Sequence, residues 1–119
     1  MVINYLVELF TKQRALQKII EKRDSNRHFY KQEPFKGYKI FMVCTALIHE
    51  AIELQRETNF KWWKKENDID IIKIREEVAD LYHFIIQLSL EVGLTPDDLY
   101  KEYLRKCKIN EDRQTSGTY

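Results

Sequence analysis

The chain has 119 residues, a length that suits one domain spanning residues 1–119 and leaves no room for a second folded unit. Its 20 Lys and Arg residues are balanced by 19 Asp and Glu residues, and the resulting net charge of +1 gives no indication of a nucleic-acid or acidic-membrane partner, so neither is expected. Hydrophobic residues make up 44% of the sequence, which is generous for a small domain and favours a homo-oligomer.

The two cysteines and the N-terminal segment bear on the location of the protein. Cys44 and Cys107 each lie within a helical pattern and lack metal-ligand spacing, which fits reduced thiols used for packing. Residues 1–12 include Glu8 and contain no long apolar run, so they predict neither a signal peptide nor a membrane span. We therefore expect a cytoplasmic protein without a membrane partner.

Helical periods organise the first half of the chain, because glycine and proline are rare and strand-like alternation is absent. The first predicted helix covers about residues 2–23, and a polar loop follows over residues 24–37. The second predicted helix covers about residues 38–59 and ends near the aromatic stretch FKWWKK.

Two further helices are predicted in the second half of the chain. Over residues 70–92 apolar side chains recur at alternating spacings of three and four, which predicts one buried seam, and Gly93 ends this helix. Thr95 has the properties of an N-cap and Pro96 those of a first helical residue, so a fourth helix is expected from there to about Asn110. Four amphipathic helices with short connections predict an all-α fold, an antiparallel four-helix bundle.

Acidic residues interrupt the apolar faces of the second and third helices. Glu50 and Glu53 form one Glu-x-x-acid pair, and Glu77 and Asp80 form another beside the buried seam. An unpaired carboxylate out of water costs several kcal/mol, so either a cation compensates these charges or the groups are protonated. Hard oxygen ligands suit Mg²⁺, whereas neutralisation by lysines or simple exposure to solvent is the alternative.

A di-iron centre is a second kind of carboxylate site found in helical bundles. Such centres combine glutamates with two Glu-x-x-His motifs. This chain contains a single comparable step, from Asp80 to His83, which makes di-iron a poor fit. Oxygen ligands with bound water favour magnesium and phosphoryl chemistry instead.

Three segments, HEAIELQRETNFKWWKK, EEVADLYHF and YLRKCKINEDRQTSGTY, resemble the all-α dUTP diphosphatases, which are relatives of the MazG-type nucleoside triphosphate pyrophosphohydrolases. The resemblance implies a MazG-like bundle completed by dimerisation and a Mg²⁺-dependent hydrolysis of dUTP to dUMP and pyrophosphate. It places the metal ligands at Glu50, Glu53, Glu77 and Asp80 and implies that a glutamate of this cluster orients water. We expect Glu50 to be this catalytic residue, because its position on the apolar stripe desolvates it most.

The resemblance also implies a set of substrate-binding residues. Trp63 would help to wall the nucleotide site, His83 would contact the sugar, and Phe84 follows in the same motif. In the C-terminal segment the residues that would face the phosphates are Lys106, Asn110 and Arg113.

Gln13 is singled out by its position as well as by the resemblance. It lies on the apolar heptad line of the first helix, where an amide needs a partner, and an amide can complement uracil through a donor and an acceptor. The resemblance places Gln13 and Gln17 near the base, although the family has Asn at the second position. The alternatives are a dCTP or broader (d)NTP pyrophosphohydrolase, or a non-enzymatic helical dimerisation module.

Overall fold

The computed structural model describes residues 4–117, apart from the side chain of His28. Five helices occur in this range: α1 (Tyr5–Asp24), α2 (His28–Lys31), α3 (Tyr38–Arg56), α4 (Ile71–Glu91) and α5 (Pro96–Ser116). No strand occurs among residues 4–117, and the helices pack into a bundle. The all-α prediction is therefore confirmed. None of the helices in the described range is long and apolar enough to cross a membrane.

The helix ends follow from local capping chemistry. The Asn4 side chain accepts a hydrogen bond from the Val7 amide and begins α1, while the predicted start at Val2 lies outside the described residues. At the start of α5, Thr95 and Asp98 form a reciprocal capping box with Pro96 in the first turn, as the sequence predicts.

Two helix predictions need correction. The predicted loop 24–37 contains the one-turn helix α2, where the Phe29 ring packs against the rings of Tyr30 and Tyr38. Four residues are too few for a hydrophobic period to indicate a helix. The fourth predicted helix continues past Asn110 to Ser116, because the residues that follow Asn110 include no breaker before Gly117, which has φ +72°.

An antiparallel hairpin of α3 and α4 forms the main packing unit. Lys73, near the start of α4, pairs at 3.1 Å with Glu57, which caps the end of α3. The loop between them is closed by Asn59, whose side chain donates to the Asn67 carbonyl at 3.0 Å and accepts from the Asn67 amide at 2.8 Å. This closure fixes the register in which acidic residues of α3 face those of α4.

Helix α1 packs on α4, and the start of α5 lies beside the start of α1. The most buried hydrophobic side chain is Phe10 on α1, and Val43 on α3 and Ile86 on α4 are also buried. Helix α5 has no buried residue. The radius of gyration is 18.0 Å, whereas a compact chain of this length is expected to have about 13–14 Å. The single chain is therefore open, with α5 largely uncovered.

Candidate functional site

Three carboxylates meet where α3 faces α4. One oxygen from each of Glu50, Glu53 and Glu77 lies within 4.8 Å of the others. Glu50 and Glu53 are one helical turn apart on α3 and therefore share a face, while the antiparallel pairing brings Glu77 of α4 opposite them. Asp80 is exposed, one turn after Glu77, and its charge acts on both Glu50 and Glu77. We call these four residues the carboxylate cluster.

Burial and the neighbouring charges disfavour the ionised forms of two members of this cluster, Glu50 and Glu77. Burial raises the pKa of the Glu50 carboxyl above its ordinary value of 4.5, and the charge of Glu53 raises it further. Burial likewise raises the pKa of Glu77, followed by the charge of Asp80. The Oε2 atom of Glu77 is buried and has no hydrogen-bond partner among the described residues. A carboxylate oxygen in this position lacks the partner that burial normally requires.

Positive side chains do not neutralise the cluster. None of the ion pairs formed within residues 4–117 involves its four acids. Lys73 lowers the pKa of Glu77, but this is the smallest of the effects on that carboxyl, and the Lys73 ammonium is itself paired with Glu57. Neutralisation by lysines, one of the alternatives left open by the sequence, therefore does not describe this site.

The cluster fits a hard divalent cation. Its potential ligand atoms are all carboxylate oxygens, which hard divalent cations prefer. One of them, Glu77 Oε2, is buried without a hydrogen-bond partner, and a bound cation would be a partner for it. His83 does not belong to the group of potential ligands found among the described residues, and its Nδ1 atom is engaged by Gln13. The arrangement suits Mg²⁺ better than a di-iron centre, which would require histidine nitrogens.

A cleft of about 230 Å³ opens between α1, α2 and α4, on the same helix that carries Glu77 and Asp80. Its polar groups are amides, an imidazole and a phenol, and its apolar walls include an aromatic ring. The lining residues are Gln13, Leu16, Gln17, Ile20, Tyr30, His83, Phe84 and Gln87. We call this the amide cleft. Amides can offer donors and acceptors to the edge of a nucleobase, and an aromatic ring can stack on its face.

Gln13 is buried, as its heptad position predicts, with 3% of its surface exposed. Its Oε1 atom lies 2.8 Å from His83 Nδ1. Because an amide oxygen can only accept, His83 donates the hydrogen of this bond. The two residues are 70 positions apart in the chain and join α1 to α4.

Sequence reasoning missed two residues of the amide cleft, Gln87 and Tyr30. Gln87 is 8% exposed and lies on α4 one turn after Phe84. The line that leads from Asp80 through Phe84 to Gln87 at helical spacing could have revealed it. Tyr30 belongs to the one-turn helix α2, and no periodic signal in the sequence places it near α1.

Other predicted site residues lie apart from the cluster. Trp63 is on the loop after α3, is 63% exposed, and has its ring in edge contact with Trp62 at 4.7 Å. Lys106, Asn110 and Arg113 are exposed on α5. Among the described residues, no hydrogen bond or ion pair joins these three side chains to the carboxylate cluster. Their roles therefore remain predictions.

Comparison with known proteins agrees with this geometry. A family model described as dUTPase matches residues 5–96, which include the carboxylate cluster and the amide cleft. This chain belongs to the dUTPase family. The match confirms the resemblance seen in the first two of the three segments and covers everything from the start of α1 to the first residue of α5, while the third segment, residues 103–119, lies beyond the matched range.

This dUTPase-family chain is also similar to a curated protein over part of its length. It is similar to the dCTP pyrophosphatase of Enterobacteria phage T4, with 31% identity over 48 residues. That segment is 40% of this chain and 28% of the relative, so the similarity spans well under two thirds of either protein. No solved structure is matched.

The raised pKa values predict how pH affects the stability of the metal-free protein. A carboxyl whose pKa is raised by folding holds its proton more tightly in the folded state, so its contribution to stability falls as pH rises from 4.5 through the folded pKa. We expect Glu77→Gln to raise the Tm by a few degrees at neutral pH in EDTA. The difference from the wild type should shrink as the pH is lowered towards 4.5.

Thermal unfolding followed by circular dichroism across this pH range measures the effect. Glu76→Gln is the matched control, because Glu76 is an exposed neighbour on the same helix and is not a member of the cluster. Equal pH profiles for the two variants would contradict the crowding of charge at Glu77.

Proposed function

We propose that this chain hydrolyses dUTP to dUMP and pyrophosphate in a Mg²⁺-dependent reaction. The observation that carries the proposal is the meeting of Glu50, Glu53 and Glu77 within 4.8 Å, with a buried carboxylate oxygen that has no partner. The amide cleft, which begins one turn beyond Asp80 on α4, supplies a place for the base. Membership of the dUTPase family supports the same reaction class.

The four acids of the carboxylate cluster would hold the metal. When bound, Mg²⁺ would polarise the phosphate oxygens and offset the negative charge that develops in the transition state. Glu50 is assigned to orient water, because its carboxylate is half-buried where α3 faces α4 and lies within the group of three potential ligands. Water is consumed and the α–β phosphoanhydride linkage is broken, which releases the two products.

The base and sugar are assigned to the amide cleft. Gln13, Gln17 and Gln87 would face the base edge, and Phe84 would provide an aromatic wall. The Nε2 atom of His83 remains available for the sugar, since Nδ1 is engaged by Gln13. A dCTP-directed or broader (d)NTP activity is the second candidate, supported by the similarity to a dCTP pyrophosphatase.

The phosphates are assigned to Lys106, Asn110 and Arg113. These residues follow one another at i, i+4 and i+7, and α5 continues past all three, so they share one face of a helix. Trp63 is assigned to the wall of the nucleotide site from its place in the loop that joins the two helices of the cluster. Closure of α5 over the substrate would bring the basic residues to the cluster.

A homodimer would cover the apolar surface that the single chain exposes. Tyr100, Tyr103, Leu104 and Cys107 form an apolar stripe on α5 at helical spacing, and the first three are 58%, 71% and 49% exposed. A helix with such a stripe requires a partner surface. We place the protein in the cytosol, where its two cysteines would stay reduced.

A non-enzymatic dimerisation module is the other class of function. Such a module would also dimerise through the apolar stripe of α5, but dimerisation does not explain why the carboxylates are clustered. The repulsion within that cluster favours the enzyme, because such an arrangement is costly unless a cation is bound.

Removal of one cluster charge should abolish catalysis without unfolding the chain. We expect Glu50→Gln and Asp80→Asn each to lower kcat for dUTP to background, because the metal site loses a ligand. Pyrophosphate release measures the loss, and far-ultraviolet circular dichroism verifies the helices. Glu76→Gln should retain wild-type turnover, and normal rates in the two cluster variants would place the active site elsewhere.

Loss of the Gln13 amide should relax base selection more than it slows the chemical step. We expect Gln13→Ala to lower the ratio of kcat/KM for dUTP over dCTP by about fivefold or more, since a polar contact to the base contributes roughly 1–3 kcal/mol. Glu8→Ala, at an exposed position on another face of the same helix, is the control. An unchanged ratio in Gln13→Ala would exclude Gln13 as a reader of the base.

The C-terminal part of α5 can be tested by deletion after Asn110. We expect the bundle to remain folded and kcat/KM for dUTP to fall by at least about tenfold, since one charge-assisted phosphate contact contributes about 1.5–3 kcal/mol. Arg113→Ala should account for much of the loss. Lys108→Ala is the control, because Lys108 pairs with Asp112 at 3.1 Å. Near-normal kcat/KM after the deletion would refute the phosphate assignment.

The apolar stripe of α5 predicts the assembly state. We expect light scattering to give about twice the chain mass of 14.5 kDa. The double substitution Tyr103→Asp with Leu104→Asp should convert the dimer to a monomer, because two charges in the stripe cannot be buried unpaired. Lys108→Asp introduces the same residue outside the stripe and should leave the dimer intact. A monomeric wild-type chain would contradict this prediction.

A further inference from the structure

The hydrogen bond between His83 and Gln13 fixes the direction of a buried amide. Gln13 Oε1 accepts from His83 Nδ1 at 2.8 Å, so the oxygen end of the amide faces His83. Rotation of the amide by half a turn would place its NH₂ group against the Nδ1–H group, and two donors would then face each other. In the tautomer with the proton on Nδ1, His83 therefore holds the Gln13 amide with its oxygen towards the ring.

The nitrogen end of this amide is left for a ligand. Gln13 Nε2 has no hydrogen-bond partner among the described residues. It is not among the buried atoms that lack a partner, so part of its surface is accessible. Gln13 lines the amide cleft and also an adjoining cleft between α1 and α4, and we assign its accessible NH₂ group to the amide cleft, where the base is assigned. In this orientation the amide offers hydrogen-bond donors to whatever the cleft binds.

A donor at this position distinguishes two pyrimidines by their 4-substituents. Uracil and thymine carry a carbonyl oxygen there, which accepts a hydrogen bond, whereas cytosine carries an amino group, which donates one. An NH₂ group aimed at this atom would bond to uracil or thymine and would oppose cytosine. A rotated amide would instead present its oxygen to the cytosine amine.

We propose that His83 is a positioning residue for base selection, and that it favours a 4-carbonyl pyrimidine over cytosine by holding the Gln13 amide with its NH₂ group towards the base. This proposal rests on the proposed function, because it assigns the base to the amide cleft. It differs from a contact between His83 and the sugar. The sugar is the same in dUTP and dCTP, so such a contact would affect both substrates equally.

Two conservative substitutions distinguish the contributions of the two ring nitrogens of His83. Asn at position 83 retains a donor near the place of Nδ1 but loses Nε2, whereas Gln retains a donor near the place of Nε2 but loses Nδ1. We expect His83→Gln to lower the ratio of kcat/KM for dUTP over dCTP by about fivefold or more, since the released amide can accept from cytosine. His83→Asn should keep the ratio within about twofold of the wild type.

The ratio of dUTP to dTTP provides an internal control. Both bases carry a carbonyl at position 4, so neither variant should change this ratio by more than about twofold. His49→Gln, on α3 and exposed, serves as the control for a histidine substitution outside the cleft and should change neither ratio. A loss of dUTP preference that is equal in His83→Asn and His83→Gln would overturn the proposal.

A double-mutant cycle tests whether His83 acts through Gln13. In the Gln13→Ala background, His83→Gln should no longer change the ratio of dUTP to dCTP, because the amide that His83 orients is gone. Additive effects of the two substitutions on that ratio would show that His83 acts on the base directly, and would overturn the proposal.

Failure of the proposed function can be distinguished from failure of this inference. If the wild-type chain hydrolyses no nucleotide, the proposed function fails, and calorimetric binding of dUMP and dCMP to the same variants measures base selection without catalysis. A preference for dUMP that is lost in His83→Gln and kept in His83→Asn would still support the inference. Equal binding of dUMP and dCMP to the wild type, or binding of neither, would overturn it.

Discussion

Repulsion among carboxylates at the α3–α4 interface is the constraint on which the rest of the structure depends. Glu50, Glu53 and Glu77 are held within 4.8 Å, and one oxygen of Glu77 is buried without a partner. The hairpin keeps them together through the apolar packing of α3 on α4, the Glu57–Lys73 ion pair and the closed loop at Asn59. These interactions offset a repulsion that a bound cation would convert into attraction.

Helix α4 connects this charge centre to the amide cleft. Its face carries Glu77 and Asp80 towards α3, and within the next two turns it carries His83, Phe84 and Gln87 towards α1. Because α4 is one continuous helix, it sets the spacing between the carboxylate cluster, proposed to hold the metal, and the amide cleft, proposed to hold the base. Helix α5, in contrast, is attached mainly through its beginning, and the residues proposed to bind phosphate, Lys106 and Arg113, are exposed farther along it.

The sequence predicted the parts of the fold that rest on long apolar periods and on capping residues. The start of α3, the bounds of α4 and the capping box at Thr95 follow from such local rules, whereas α3 ends at Arg56, before the predicted end near residue 59. The acids were found because Glu50 and Glu77 interrupt an apolar face, and Gln13 was found for the same reason. Helix α2 was missed because one turn has no period, and Gln87 was missed because it lies beside the main apolar seam of α4 and is buried only by packing between helices.

The pairing of Gln13 with His83 could not be read from the sequence. The two residues are 70 positions apart, and only the packing of α1 on α4 brings the amide oxygen to the imidazole nitrogen. For the same reason, spacing could group Lys106, Asn110 and Arg113 on one helical face but could not show where that face lies relative to the carboxylate cluster. Contacts between distant elements depend on packing, which local patterns do not specify.

The measurement that tests the central claim most directly is pyrophosphate release by the wild-type protein from a panel of dUTP, dCTP, dTTP, dATP and dGTP, each with Mg²⁺ and with EDTA. The account predicts release that requires Mg²⁺, with dUTP the preferred substrate and the pyrimidines ahead of the purines. Release that persists in EDTA, or no release from any nucleotide in Mg²⁺, would contradict a metal-dependent pyrophosphohydrolase built on these four carboxylates.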